Sequence, residues 1–365
     1  MKTAHPDTAL YPWQLDPKIA PAIWGGGELV RDYGKHGDAH AKLGESWECW
    51  DADAVTNGAL TGSTIAMLRE RLGAEFLGDL DPTQIFPVLT KIITAHEWLS
   101  VQVHPNDAYA QRVEHQRVGK TECWYVIAAH ADAELVVGWT RETSREEYEQ
   151  RVDNGTLAEI LRKVPVKAGD TVYVPSGMVH AIGPGVTVFE TQQASDLTYR
   201  LFDWNGVGLD GKPRELHVAK AADVLDYRAG GQTTLTQIDY RFEGLDRRAL
   251  IADHRFTVER ILATTDPASL ATDGRPLIIM SLEHPFEVDC AGASTALRPY
   301  QTVLVPAGAG WCSVRSAESQ APFLLVTPAR SPDQLATRLL ASGIAQSRID
   351  VFNAQFVLLE DAPEH

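Results

Sequence analysis

A fourteen-residue segment occurs twice in this chain. Lys167–His180 aligns without a gap on Arg298–Trp311 at an offset of 131, and Thr171/Thr302, Val172/Val303, Val174/Val305, Pro175/Pro306 and Gly177/Gly308 are identical. A Pro and a Gly kept two residues apart define a turn between strands. The duplication therefore predicts two copies of one β architecture rather than a single large sheet. From about residue 86 to 330 the chain runs in short stretches rich in Val, Ile, Thr, Tyr and Trp, punctuated by Gly and Pro, which suits a sandwich or jelly roll and not βαβ units. We expect a mainly β fold of two tandem jelly-roll barrels with a few short helices. The N-terminal domain, with helical additions, would span 1–230 and the C-terminal one 231–365, with a seam near Arg228-Ala229-Gly230-Gly231-Gln232. Helices are expected over Ile65–Leu72 with Ser63 or Thr64 as cap, over Glu146–Lys163 as two pieces broken at Asn154-Gly155, and after Ser331-Pro332.

Charge and composition exclude several classes of function. Lys plus Arg number 33 and Asp plus Glu 49, a net charge of −16. That field opposes non-specific binding to nucleic acid or to an anionic membrane, so neither partner is expected. An anionic ligand needs a local cationic pocket. The polar, proline-containing start Met1–Asp7 has no apolar stretch behind it and no run of 18 apolar residues occurs, so a cytoplasmic protein is expected. The four cysteines, Cys49, Cys123, Cys290 and Cys312, form no C-x-x-C pair and read as buried thiols.

Chemistry concentrates in the first copy. Gly169–His180 fits G-x5-P-x-G-x2-H, which resembles the second motif of the cupin barrels, where a strand delivers a histidine to the barrel mouth. Upstream, Trp98–Asp107 alternates, with Ser100, Gln102 and His104 on one face and Leu99, Val101 and Val103 on the other. A polar face of that kind in a buried strand needs a purpose, because unpaired buried polar groups are costly. In Gly119–Ile127, Lys120 and Glu122 share a face, either as a plain ion pair or as part of a site. Gln102, His104, Glu122 and His180 together make an all-N/O set compatible with one divalent Zn²⁺, Mn²⁺, Fe²⁺ or Co²⁺. The other ten histidines are read as surface or hydrogen-bonded core residues. Trp311 stands where His180 does in the repeat, so only the first cupin-type barrel is expected to hold metal.

Several segments in order carry a more specific resemblance. V-Q-V-H-P-N-D, G-K-T-E-C-W-Y and T-Y-R-L-F-D-W-N followed by R-E-L-H are similar to motifs of the type I mannose-6-phosphate isomerases in their short bacterial form. Trp24-Gly25-Gly26-Gly27 and Gly44-Glu45-Ser46-Trp47-Glu48 resemble that family's N-terminal signatures, and the likeness runs from about residue 12 to 227. It implies a metal, usually zinc, at Gln102, His104, Glu122 and His180. It also implies an active-site role for Arg200 and a pocket carboxylate at Glu190. Lys91, lodged in the apolar run Phe86–Ile93, either snorkels to solvent or meets an anion, and the resemblance favours the pocket.

The activity so implied is aldose–ketose isomerisation of a sugar phosphate through an enediol(ate), from mannose 6-phosphate to fructose 6-phosphate. The metal would polarise the C1 and C2 oxygens, while Glu190 or Lys120 shuttles the proton, a contribution of about 10²–10⁴-fold. Arg200, Ser100 and Lys91 would bind phosphate or steady the oxyanion. Two other readings use the same metal ligands: a cupin dioxygenase around Fe²⁺, and a non-catalytic sugar-phosphate-binding cupin. A dioxygenase has no need of Lys120 or Arg200. The sequence does not specify the oligomeric state.

Overall fold

The computed structural model describes residues 10–204, 206–230, 235–290, 292–328 and 332–356. Met1–Asp7, the Asn205 that ends T-Y-R-L-F-D-W-N, Gly231, Gln232 and Ser331 lie outside the described residues, as do two of the ten other histidines, His5 and His365.

The chain divides into two compact units. One holds residues 19–46 and 91–230, and two antiparallel sheets build it, with strands Leu43–Cys49 and Val88–Thr94 lying across its boundary. The first runs in the order Lys18–Gly26, Leu43–Cys49, Val88–Thr94, Val186–Gln193, Glu122–Ala129, Thr171–Val174. The second runs Tyr199–Phe202, Val101–Val103, His180–Ile182, Glu134–Trp139, Leu161–Pro165. The inner faces meet through Trp124, Val126, Val172 and Val188 on one side and Leu135, Val137 and Ile182 on the other. The outer face of the second sheet, with Val101, Val103, Ala181 and Leu201, is covered by Tyr148 of helix Arg145–Asp153 and by Ala221 and Ala222 of helix Val218–Val224.

That layering decides which way Gln102 points. Val101 and Val103 pack outward beneath the helices, so Gln102 between them turns into the barrel. A one-residue slip would push its amide into the apolar outer layer, at a cost of roughly 1–3 kcal/mol if unpaired. Leu99 departs from the alternation expected of it. The strand begins only at Val101, and Leu99 belongs to the inner cluster with Trp124.

The other unit comprises, among the described residues, Leu10–Lys18, Trp47–Thr90 and Thr236–Phe356. This differs from two successive domains divided at 230/231. The reason lies in pairing: strand Trp13–Gln14 bonds Thr302–Val305, with Trp13 opposite Leu304, and the buried Trp13 ring packs on Phe76. This unit's sheets run Trp13–Gln14, Thr302–Val305, Leu277–Ser281, Ala321–Pro328, Phe256–Ala263, Leu245–Ala252, Ile238–Phe242, and Ala268–Ala271, Trp311–Arg315, Phe286–Cys290, Ala293–Leu297. The core between them includes Ile261, Ile279, Val303, Phe323, Val288 and Val314.

Helix Ile65–Leu72 forms as expected, with the Thr64 hydroxyl capping Met67 N–H. The second half of Glu146–Lys163 does not continue as an α-helix. Leu157–Ile160 is a single 3₁₀ turn and Leu161–Pro165 is a strand paired with Glu134–Trp139. An available sheet edge there outweighs modest local helix propensity. The four cysteines are buried free thiols. No helix among the described residues is long and apolar enough to cross a membrane.

Candidate active site

His180 opens its strand directly opposite Gln102, and Gln102 is in turn opposite Arg200 on strand Tyr199–Phe202. Residues facing one another across antiparallel strands project to the same side. His180, Gln102 and Arg200 thus form a row on the inner face at one end of the barrel. The turn that feeds His180 is pinned in two places: Gly177 N–H donates to the His104 carbonyl at 2.9 Å, and Ser176 N–H to Thr121 Oγ1 at 3.2 Å. Gly177 has φ of 87°, a left-handed conformation that glycine adopts freely, whereas its repeat partner Gly308 is required by close approach, an added Cβ falling 2.5 Å from the Glu75 carbonyl oxygen. Gly119 sits so close to the Pro105 carbonyl that an added Cβ would lie 2.2 Å from its oxygen, which brings Lys120 and Glu122 against the His104 segment. Asn106 caps helix Asp107–Val113 by accepting from Tyr109 N–H, a role Asn fills as well as Asp.

From the opposite sheet, Glu122 enters between the two imidazoles. Its Oε2 lies 3.5 Å from His104 Nε2 and its Oε1 3.5 Å from His180 Nε2. All three side chains are buried, and their ligating atoms lie within 4.8 Å of one another. Each ring is oriented through its other nitrogen: His104 Nδ1–H donates to the Leu197 carbonyl and His180 Nδ1–H to the Met178 carbonyl, both at 2.8 Å. These bonds leave Nε2 as the lone-pair nitrogen of each ring. Burial, reinforced by the Lys120 charge, pushes the His104 imidazole down to about 3, and burial likewise lowers His180. Burial works to raise Glu122, but the pull led by the Lys120 ammonium outweighs it and holds the carboxyl well below its usual range. Two neutral imidazoles and a carboxylate suit a divalent cation. The buried His180 Nε2 has no hydrogen-bond partner, a second sign that these atoms fit a metal ion.

Lys120 joins the cluster, its Nζ 2.8 Å from Glu122 Oε2 and 3.2 Å from His104 Nε2. The plain ion pair expected of Lys120 and Glu122 is therefore present, within the same group of atoms as the histidines. A second charged group lies alongside. Lys91, 3% exposed, places Nζ 3.6 Å from Glu190 Oε1 and 3.3 Å from Glu45 Oε2. Burial disfavours its ammonium, but Glu45 and Glu190 more than compensate and raise it above the ordinary lysine range. Glu190 is buried too, and that burial, together with the Glu122 charge, pushes its carboxyl up to about 7 against the pull of Lys120 and Lys91. Trp124 Nε1–H donates to Glu190 Oε2 at 3.0 Å.

Arg200 does not form the surface ion pair with Asp203 that a strand arginine would make. Asp203 is taken by Arg214, and Arg200 Nη1 donates to the Glu215 carbonyl at 2.9 Å. His217 fixes the Arg200 backbone from both sides, its Nδ1 accepting the Arg200 N–H and its own N–H donating to the Arg200 carbonyl. Ser100 is buried just ahead of strand Val101–Val103 and, among the described residues, is not drawn into these ionic contacts. Glu45, Trp124 and His217 carry no signal of their own in the sequence that marks them as site residues. Glu45 and Trp124 do lie inside segments that carried the resemblance.

The repeat lets the other barrel be read position by position. There Trp311 faces Ala271 as His180 faces Gln102, and Leu277 faces Val305 as Glu122 faces Val174. Two residues beyond Ala271, where His104 would stand, is Asp273, which is bound to Arg338. Gln, His, Glu and His become Ala, Asp, Leu and Trp, and Trp311 is 56% exposed.

Residues 13–148 match the family model for the phosphomannose isomerase type I catalytic domain. The chain is 39% identical over 252 residues to a mannose-6-phosphate isomerase of Streptococcus mutans serotype c, covering 68% of this chain and 77% of that protein. It is 43% identical over 222 residues to mannose-6-phosphate isomerase ManA of Bacillus subtilis, covering 59% and 68%. Among solved structures, the mannose 6-phosphate isomerase from Bacillus subtilis superposes with a TM-score of 0.79 at 30% identity, over 87% of this chain and 99% of that one. A zinc-bound mannose 6-phosphate isomerase gives 0.69 at 13% identity over 88% and 100%, a likeness of fold. Sequence identity at this level over most of a relative's length, carried on the same fold, makes this chain a member of the type I mannose-6-phosphate isomerase family.

Proposed function

We propose that this enzyme interconverts mannose 6-phosphate and fructose 6-phosphate with one divalent metal ion, zinc in this reading, held by His104, Glu122 and His180 together with Gln102. The observation that carries the reading is the buried His–Glu–His group, all within 4.8 Å, beside a carboxylate and two lysines. The ion, when bound, supplies Lewis-acid polarisation of the C1 and C2 oxygens. Glu190 acts as the base: its Oε1 takes the C2 proton of the open-chain aldose and returns it to C1, while the O2 hydroxyl proton passes to O1 and the carbonyl moves from C1 to C2 through the enediol(ate). A carboxyl near 7 is suited to both halves of that exchange. Lys120, its Nζ 2.8 Å from Glu122 Oε2 and 3.2 Å from His104 Nε2, holds an ammonium beside the ligand set that can donate to the developing oxyanion. Lys91 balances the charge of Glu190, and Arg200, in register with Gln102, faces the substrate's oxyanion or phosphate, with Ser100 contributing to binding. A dioxygenase or a passive sugar-phosphate binder would have no use for a buried acid/base carboxylate flanked by two ammonium groups.

A coupled assay following fructose 6-phosphate from mannose 6-phosphate, before and after chelation, tests this, with metal analysis in parallel. Activity lost on chelation and restored by Zn²⁺, with about one ion per chain, is expected. The His104→Ala, His180→Ala double variant should retain no metal. Full activity after complete metal removal, or two ions per chain, would refute it.

A further inference from the structure

Trp124 is 1% exposed and faces Glu190 across the strand pair Glu122–Ala129 and Val186–Gln193. A buried indole needs some acceptor for its N–H, and a backbone carbonyl would serve. Here the acceptor is the carboxylate assigned to proton transfer: Nε1–H donates to Glu190 Oε2 at 3.0 Å. The same ring stands edge-on to the His180 imidazole, with centroids 5.5 Å apart and planes at 67°. One rigid side chain therefore touches both the base and a metal ligand.

We infer that Trp124 is a positioning residue that fixes the Glu190 carboxylate by occupying Oε2, so that Oε1 is the oxygen that exchanges the substrate proton. The inference rests on the reading of Glu190 as base. Glu190 Oε1 is buried, has no hydrogen-bond partner and lies 3.6 Å from Lys91 Nζ. A carboxylate turns about its last bond through a broad, roughly two-fold well, which sets neither the plane nor the identity of the reacting oxygen. A charge-assisted bond to one oxygen sets both. The edge contact to His180 then holds that plane relative to a ligand of the metal, and so relative to the carbonyl being polarised. Misplacing a reacting group by about 1 Å can cost on the order of 10²-fold in rate.

The test removes the N–H and keeps the ring. Trp124 is replaced in the full-length, metal-loaded enzyme by 3-benzothienylalanine, which puts sulfur where the N–H was, and separately by Phe (Trp124→Phe). Metal content, melting temperature, kcat, KM and the kinetic isotope effect with C2-deuterated mannose 6-phosphate are measured. Metal content and melting temperature of the sulfur isostere should match wild type, with KM within about twofold. Its kcat should fall about 10- to 100-fold, and the isotope effect should rise as proton transfer becomes limiting. A kcat equal to wild type with the N–H gone overturns the inference. So does a loss of kcat that only parallels metal loss and melting temperature in both variants, with the isotope effect unchanged. Glu190→Gln run alongside separates the two readings. Full turnover in Glu190→Gln refutes Glu190 as base, whereas an inactive Glu190→Gln beside an unimpaired isostere refutes the role of Trp124 alone.

Discussion

Replacing Lys91 by Met deletes one buried positive charge and leaves a side chain of similar length. Its Nζ lies 3.6 Å from Glu190 Oε1. With an effective dielectric constant of about 20, a unit pair at that distance is worth about 4–5 kcal/mol. That agrees with the roughly 3–5 kcal/mol typical of breaking a buried pair from one side. At about 1.4 kcal/mol per pH unit, the electrostatic limit is about three units on Glu190. Relaxation and water penetration reduce this, so we expect the Glu190 carboxyl to rise from about 7 by about one to two units. A base works in its ionised form, so a raised value moves the acidic limb of the rate profile toward higher pH. About half of Glu190 is ionised at pH 7 in the wild type, so in Lys91→Met kcat near pH 7 should fall about 5- to 50-fold and recover substantially by pH 9. The assay is kcat and KM for mannose 6-phosphate from pH 6 to 9.5, with metal content checked at each pH. A KM raised equally at every pH, with the acidic limb unmoved, would refute the reasoning and make Lys91 an anion grip instead.

Two further outcomes follow from other titratable or charged side chains. Arg200→Lys should keep the fold and the metal but lose turnover at nearly constant KM, because lysine cannot reproduce a bidentate contact to oxyanion or phosphate oxygens; near-normal kinetics would remove Arg200 from the site. In the other unit, Asp53 is buried, and burial, with Glu48 and Asp16 adding to it against a Trp50 backbone bond, pushes its carboxyl up to about 8 from 3.8. The folded state thus holds this proton more tightly than the unfolded chain, so the stability it contributes is complete below about pH 4 and is lost as pH rises toward 8. Asp53→Asn should melt higher than wild type at pH 8, by on the order of 1–3 kcal/mol in stability, and the gap should narrow toward pH 5. A gap independent of pH would show that Asp53 is ionised in the fold.

What the sequence displayed of this site, and what it hid, follows from the range of the interactions. The repeat and the alternation around Gln102 were legible because strand periodicity and a Pro–Gly turn are local facts that the barrel has to honour. The same locality misled at Leu99 and at Leu161–Pro165, where the strand start and a free sheet edge, both tertiary, decided the outcome. The discontinuous unit was beyond reach for that reason too. Nothing near Trp13 in sequence says that its partner is Leu304. Lys91 is the instructive case between these extremes. A lysine in an apolar run signals on its own that a countercharge must come to it, yet it does not say from where. The structure brings two, Glu45 and Glu190, and the second is itself gripped by Trp124. Burial, with the Glu122 charge beside it, outweighs the pull of Lys120 and of the Lys91 ammonium that Glu45 shares, so the more deeply buried of the two carboxylates retains its proton to unusually high pH. In this barrel that carboxylate is Glu190, and its neighbour across the strand is the residue that determines which of its oxygens is left to react.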